Sequence, residues 1–362
     1  MPIKWKKALI AFERFESAGV FDVTGDGKPN IVSGAWWYET PDIKTQHRIG
    51  DVMAEGEYYD DFSTIPMDVN GNGRLDFITG GWWGDTVRWR ENPGGPEKEW
   101  PEHIIAHTGN VETTRAWDVD GDGKLEIVPN TPGEPLTVYK LITDAEGRGT
   151  GKFVAHTIYA KTQGHGLGFG DVNGNGRGDF ILNHGWLEAP KDPYNGEWIL
   201  HPDFELGGMA GVPVLVVDVN GNGINDLIMG HGHGYGLDWV EQQTGDDGSR
   251  TWIKHPIDPF NAQYHDLQWI DLDGDGACEL VTGKRYRAHC GNDTGSDDDV
   301  GIYYFKWTGE SFAKQVIDYG PPGKGKGCGI LFAIADVTGN GRLDIVAPGK
   351  DGLYLYENLG CR

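Results

Sequence analysis

Apolar residues run through the chain in stretches of a few positions, each leading into or out of a cluster of Gly, Asn and Asp. That pattern predicts short β-strands joined by tight turns. One phrase recurs seven times: FDVTGDGKPNIV from Phe21, MDVNGNGRLDFI from Met67, WDVDGDGKLEIV from Trp117, GDVNGNGRGDFI from Gly170, VDVNGNGINDLI from Val217, IDLDGDGACELV from Ile270 and ADVTGNGRLDIV from Ala335. The leading aspartates, Asp22, Asp68, Asp118, Asp171, Asp218, Asp271 and Asp336, stand 46, 50, 53, 47, 53 and 65 residues apart, so a unit averages about 52.

Within a unit, an apolar stretch enters the aspartate, the turn follows, and a second apolar run such as DFITGG leaves it. A third strand resembles TVRWREN. A fourth carries Trp or Phe with a His three residues on, as in EWPEHII at Glu99, KFVAHTI at Lys152, EWILHP at Glu197 and TWIKHP at Thr251. Four strands in each unit of this length are the mark of a propeller blade. IKWKKALI at Ile3 reads as a fourth strand although it precedes the first motif, while the last unit stops after GLYLYEN with three strands. The expected fold is therefore all-β: a seven-bladed β-propeller with four-stranded blades, one domain over residues 1–362, its ring closed by the N-terminal strand joining the last blade. The polar insertion HCGNDTGSDDD from His289, in the longest interval, reads as a surface loop.

Composition narrows the partners. Lys and Arg number 31 against 55 Asp and Glu, a net charge of −24, which argues against an electrostatic grip on nucleic acid or an anionic membrane. Gly is frequent at 57 residues, but 14 Trp, 14 Tyr and 13 Phe without a Gly-X-Y period exclude collagen and bulk disorder. No apolar run approaches the ~18 residues of a membrane span, and the start MPIKWKKALIAFERF has no signal-peptide core, so a soluble chain is expected with its compartment left open. Cys278, Cys290, Cys328 and Cys361 form no CxxC pair and no disulfide framework.

The acidic turns invite a cation. Asp118, Asp120, Asp122 and Glu126, and likewise Asp271, Asp273, Asp275 and Glu279, put carboxylates at alternate loop positions with glycines between, which suits structural Ca²⁺. Elsewhere Asn or Thr replaces one or both middle acids. The second reading is an Asx-type turn with no metal.

Topology sorts the twelve histidines. The acidic turn joins the innermost strand of a blade to the second, so residues before the first strand and after the second meet at the opposite face. Six back from each motif aspartate stand Glu16, Phe62, Glu112, His165, Val212, His265 and Ile330; thirteen forward stand Ala35, Gly81, Thr131, His184, His231, Lys284 and Gly349. His47, His103, His156, His201 and His255 recur on the outer strand, where repetition favours a structural role. His165, His184, His231, His233 and His265 instead gather at the mouth, from units four to six alone. His231 and His233 alternate as strand neighbours facing one way. Three histidines and an open water position make a catalytic Zn²⁺ site, which other divalent transition metals would also fit. His165, His231 or His233, and His265 are the expected ligands; hydrogen bonding within Gly-rich loops is the other reading.

Further reactive groups share the mouth. Glu112, His184 and Tyr286 are candidate acids or bases, and Lys284 and Arg285, with Arg287 as a substrate contact, form a basic strip able to neutralise a carboxylate or an enolate. Trp36, Trp82 and Trp186 could stack on sugar faces, or wedge blades together.

The repeats resemble the FG-GAP or VCBS repeats of integrin-like propellers from about Phe21 to Val346. GHGLGFGDVNGNGRGDF followed by NHGWLEAP, with GHGHGYG and YHDLQWIDLDGDG, further resembles the propeller of the aldos-2-ulose dehydratase family. That resemblance implies a cleft-bottom zinc that polarises a keto sugar for loss of water, although the chain lacks the cupin and lectin-like domains of the long fungal enzymes. The expected activity is β-elimination on a keto sugar such as an anhydrofructose or aldosulose, a carbon–oxygen lyase reaction on a carbohydrate. A uronate-specific polysaccharide lyase, with cations clamping the carboxylate and His265 or Tyr264 as base, and a non-catalytic carbohydrate-binding propeller are the alternatives.

Overall fold

Residues 2–96 and 98–361 are described by a computed structural model of the chain. Seven antiparallel four-stranded sheets, numbered here as blades in chain order, follow one another along the described residues. Blade 1 comprises Gly19–Phe21, Asn30–Ser33, Trp36–Tyr38 and Gln46–Arg48; blade 2 comprises Ile65–Met67, Asp76–Gly80, Thr86–Arg90 and Glu102–His107. Blade 3 is Thr113–Trp117, Glu126–Asn130, Pro135–Thr143 and Gly149–Thr162; blade 4 is Leu167–Gly170, Asp179–Leu182, Gly185–Glu188 and Ile199–His201. Blade 5 holds Leu215–Val217, Asp226–Gly230, Leu237–Thr244 and Arg250–Pro256; blade 6 holds Tyr264–Ile270, Glu279–Lys284, Val300–Trp307 and Phe312–Gly320. Blade 7 takes Ala333–Ala335, Asp344–Ala347 and Leu353–Cys361 from the end of the chain and its fourth strand, Ile3–Ala11, from the beginning. Lys7 pairs with Tyr356 and Trp5 with Asn358, so the first strand closes the ring as the sequence predicts.

Each motif works as a hydrogen-bonded knot. The leading aspartate accepts backbone N–H bonds from across the turn, as Asp171 does from Gly174 at 2.8 Å and Gly176 at 2.7 Å. Gly176 sits at φ +83°, open to glycine and costly for a side chain. The acid at position nine is fully buried and ties the turn to the blade: Asp179 accepts from Val172 N–H at 2.9 Å and Ala189 N–H at 2.8 Å. Glu126 and Glu279 do the same for Val119 and Leu272, both at 2.8 Å.

Burial pushes the Asp179 carboxyl up to about 6, against the pull of its two backbone donors. The folded state thus holds a proton there that the unfolded chain has released, so this group favours folding less as pH rises from about 4 to 6. We expect Asp179→Asn, the residue blade 1 carries as Asn30 at this position, to remove that component. Urea unfolding at a series of pH values should show the wild type losing stability relative to the variant across that interval.

The two fully acidic turns carry their own cation. Lys140 Nζ lies 2.5 Å from Asp120, 2.8 Å from Asp122 and 3.1 Å from Glu126. Lys306 Nζ repeats the arrangement at 2.5, 2.9 and 3.1 Å from Asp273, Asp275 and Glu279. Where the middle acid is Asn, a Glu in the third strand or directly after it takes the place of the lysine: Asn70 donates to Glu91, Asn173 to Glu188 and Asn220 to Glu241. A calcium ion at Asp118–Glu126 or Asp271–Glu279 would have to displace an ammonium already in place.

The outer histidines are wedges. His47, His103, His201 and His255 stack on Trp37, Trp89, Trp186 and Trp239 at centroid distances of 4.1–4.5 Å, with Nε2 on Glu39, Glu91, Glu188 and Glu241. His156 stacks on Tyr194. Trp186 therefore belongs to a buried structural set and offers no face to a sugar, which corrects its reading as a mouth residue. The link between the second and third strands of blade 4 is short, so Trp186 already lies in the third strand. Trp36 also lies in a third strand, packed with Ile10, Ala18 and Leu353. All four cysteines are free, and no helix among the described residues is long and apolar enough to cross a membrane.

Candidate functional site at the mouth

The face opposite the acidic turns carries a cavity of about 280 Å³ walled by Tyr58, Phe62, Trp82 and Trp83, with Glu112 and Arg285 inside it and His289 at its side. Its walls come from or next to the two registers read in the sequence: Phe62 and Glu112 precede inner strands, while Trp82 and Arg285 stand one residue beyond the register that follows second strands. Deeper along the axis Arg115 donates to Asp266 at 2.9 Å and to the Val212 carbonyl, and Asp266 accepts from Phe332 N–H at 3.0 Å. These hydrogen bonds link blades 3 and 6 with the segments entering blades 5 and 7.

Three side chains converge beside the cavity. Glu112, His233 and His265 are all buried, and one ligand atom from each lies within 4.8 Å of the others. His265 Nε2 is 2.7 Å and His233 Nε2 3.9 Å from Glu112 Oε1. Burial pushes His265 down to about 4, the Glu112 hydrogen bond opposing and Arg285 assisting. Burial alone would raise Glu112, yet the His265 hydrogen bond and the charges of Arg285 and His165 hold it well below the usual carboxylate range. Burial also lowers His233.

These residues fit a metal by the chemistry of their donors. His233 Nε2 is buried without a hydrogen-bond partner, while its Nδ1 lies 3.0 Å from Asp293. A carboxylate on one ring nitrogen and a free lone pair on the other is how a metal-ligating imidazole is oriented. His165 lies next to this group, its ring 4.9 Å from that of His233, and its Nδ1 too is buried and unpartnered. His231 does not join them. The strand ends at Gly230, so the alternation assumed for His231 and His233 fails in the turn beyond it; His231 Nε2 binds Asp238 at 2.8 Å, and Lys254 binds that same carboxylate.

A buried ion chain crosses the mouth. Arg285 Nε meets Glu16 at 2.9 Å, its Nη1 meets Glu112 at 3.4 Å, and Lys350 Nζ meets Glu16 at 3.0 Å. Gly329 lets this happen, since a Cβ there would stand 2.1 Å from the Glu16 carbonyl oxygen. The rest of the basic strip is turned to structural use. Lys284 is buried and donates to the carbonyls of Gly295, Ser296 and Asp298, and Arg287 forks onto Glu57 at 2.6 and 2.7 Å. Tyr286 is half-buried and does not line the cavity, and His184 pairs with Asn183 and Tyr159 on the rim of blade 4.

The insertion from His289 is not a plain surface loop. Lys284 anchors its far end, and Asp293 bridges His233 and His289, the latter at 2.7 Å, so the segment forms one side of the cavity. His289, Asp293 and Lys350 are functional candidates that motif reading passed over, and Glu16, which the register places at the mouth, has no role in that reading. The available signal was a strand-end lysine, Lys284, with no acidic partner in its own blade and a polar insertion following it.

A family model described as the FG-GAP-like repeat matches residues 68–128, from the motif of blade 2 into the second strand of blade 3. The seven sheets make the chain a β-propeller, and the match to the FG-GAP-like repeat covers one stretch of it, in blades 2 and 3. No curated protein matches it. Among solved structures it is similar to BBS1N, solved in complex with ARL6DN, at 11% identity over 98% of this chain and 97% of that one with a TM-score of 0.53. An Agrocybe aegerita lectin specific for non-reducing terminal N-acetylglucosamine aligns at 19% identity over 84% and 80% of the two chains, with a TM-score of 0.49. The V. cholerae biofilm matrix protein Bap1 aligns at 15% identity over 92% of this chain and 45% of that one, with a TM-score of 0.37. At such identities, the likeness to BBS1N is one of fold.

Proposed function

We propose that the protein is a metal-dependent carbohydrate lyase of the dehydratase type, acting by β-elimination on a neutral keto sugar held in the mouth cavity. The observation that carries this reading is the buried convergence of Glu112, His233 and His265 beside an aromatic-walled cavity. These three would hold Zn²⁺ or another divalent transition metal, with His165 adjacent. Bound there, the metal would supply Lewis-acid polarisation of a carbonyl oxygen.

The chain's own residues supply the rest. Trp82, Trp83 and Phe62 would pack on the sugar ring and exclude water. The Arg285 guanidinium faces the cavity and would stabilise negative charge developing on the carbonyl oxygen. His289, held at Nδ1 by Asp293, would accept the proton from the carbon next to the carbonyl. As that C–H bond breaks and a C=C bond forms, the β-oxygen leaves with the bonding pair and takes a proton. Tyr58 is placed to give it, because its hydroxyl oxygen already accepts from Cys290 N–H at 3.0 Å and its hydrogen stays available.

Charge pairing favours a neutral substrate over a uronate. Arg285 is matched by Glu16 and Glu112, Arg287 by Glu57, and Lys284 by backbone carbonyls, so the strip holds no unpaired cation to balance the full charge of a carboxylate, and Arg285 would serve only the partial charge that develops on a neutral substrate. The motifs GHGLGFGDVNGNGRGDF and GHGHGYG, on which the resemblance to the aldos-2-ulose dehydratase family rests, support the same reading.

The test is metal content by mass spectrometry on protein purified without an affinity tag or added metal. About one equivalent of transition metal is expected in the wild type and in His231→Ala, and its loss in His233→Ala and His265→Ala. Calcium alone, or transition metal untouched by the last two substitutions, would overturn the metal-dependent reading and leave a sugar-binding propeller.

A further inference from the structure

A second cavity of about 510 Å³ lies on the same face between blades 2 and 3, lined among others by Asp85, His107, Thr131, Glu134, Thr137 and Tyr139. Its lining mixes hydrogen-bonding side chains with the aromatic residue Tyr139, a combination that suits a sugar ring. Its lining includes two carboxylates and neither Lys nor Arg, which disfavours an anionic ring.

The groove and the mouth cavity share their partition. The segment from Trp82 to Asp85 has its tryptophan in the mouth wall and its aspartate in the groove, and the segment from Gly109 to Glu112 likewise has one end in each. Three residues of chain span at most about 10 Å, a distance that two linked pyranose rings can bridge. Asn110 ties the partition together: with its amide assigned in the orientation that satisfies both ends, it donates to Asp85 at 2.8 Å and the Trp82 carbonyl at 3.2 Å and accepts from the Trp82 indole at 3.0 Å. A ligand entering the groove therefore touches the hairpin that holds the tryptophan of the mouth.

We infer that this groove is a second subsite, binding the neighbouring ring of a neutral oligosaccharide whose reacting ring occupies the mouth cavity. The inference rests on the carbohydrate reading above and extends it from a single sugar to a glycan of at least two rings.

Calorimetric titration with glucose, cellobiose and maltose, which lack the ketone and so are not turned over, separates the two ideas. One of the disaccharides should bind the wild type at least tenfold more tightly than glucose. Thr137→Trp, which fills the groove, should bring that disaccharide to the glucose level while leaving glucose unchanged, and His107→Ala should cost it severalfold with glucose again unchanged. Disaccharides no tighter than glucose, or an advantage that survives Thr137→Trp, overturn the groove while leaving the mouth intact. Glucose affinity indifferent to Trp82→Ala overturns the mouth reading itself, and no binding of any of the three sugars overturns both.

Discussion

Arg285→Met is expected to lower the unfolding free energy by about 3–5 kcal/mol, the range found when one partner of a buried ion pair is removed. Arg285, Glu16 and Glu112 are 3%, 1% and 4% exposed, so water does not screen them. Arg285 alone joins the two carboxylates, with Lys350 helping at Glu16 and His265 at Glu112. Its removal leaves more negative than positive charge in a closed space. Arg285→Lys should recover only part of the loss, because a single ammonium cannot reproduce the fork that meets both acids. Guanidinium unfolding followed by tryptophan fluorescence measures this directly. A midpoint unchanged in Arg285→Met would mean that the ion chain is not what holds the mouth together.

Glu112→Gln is expected to reduce elimination on the order of 10³-fold, because it removes a ligand charge from a centre asked to supply several kcal/mol of transition-state stabilisation. The amide keeps the shape and one hydrogen-bond acceptor, so the far-ultraviolet dichroism should stay that of the wild type. The loss should fall on kcat. Trp82→Ala provides the contrast: packing on the ring is made in the ground state and the transition state alike, so its cost should appear mainly in KM. The product's C=C bond conjugated to a carbonyl absorbs in the ultraviolet, giving a continuous assay. A Glu112→Gln protein with wild-type kcat would remove this carboxylate from the reaction.

The sequence made the blades legible because every copy of the motif solves one physical problem the same way. A buried side-chain oxygen, from Asp or Glu in six blades and from Asn30 in blade 1, and a turn aspartate collect the orphan N–H groups of a tight turn, and their spacing cannot drift without leaving one unpaired. Counting from those aspartates placed Glu112 and His265 at one mouth, with Arg285 next to the counted Lys284. His231 and Trp186 escaped the count because loop length, not register, decides where the second strand stops and the third begins. His289 and Asp293 lay in an insertion whose polarity resembled that of any solvated loop. What draws it inward is a buried lysine seeking carbonyl partners, and such long-range pairing leaves no periodic trace.

Lys140 and Lys306 have a consequence for where such a propeller can work. A turn that borrows its positive charge from solution ties the rigidity of the disc to the concentration of a free ion, and chelating polyanions would then soften it. Here the charge is covalently attached to the neighbouring strand of the same blade. Those two turns keep their counter-ion at any dilution, and their stiffness needs no ion from the medium.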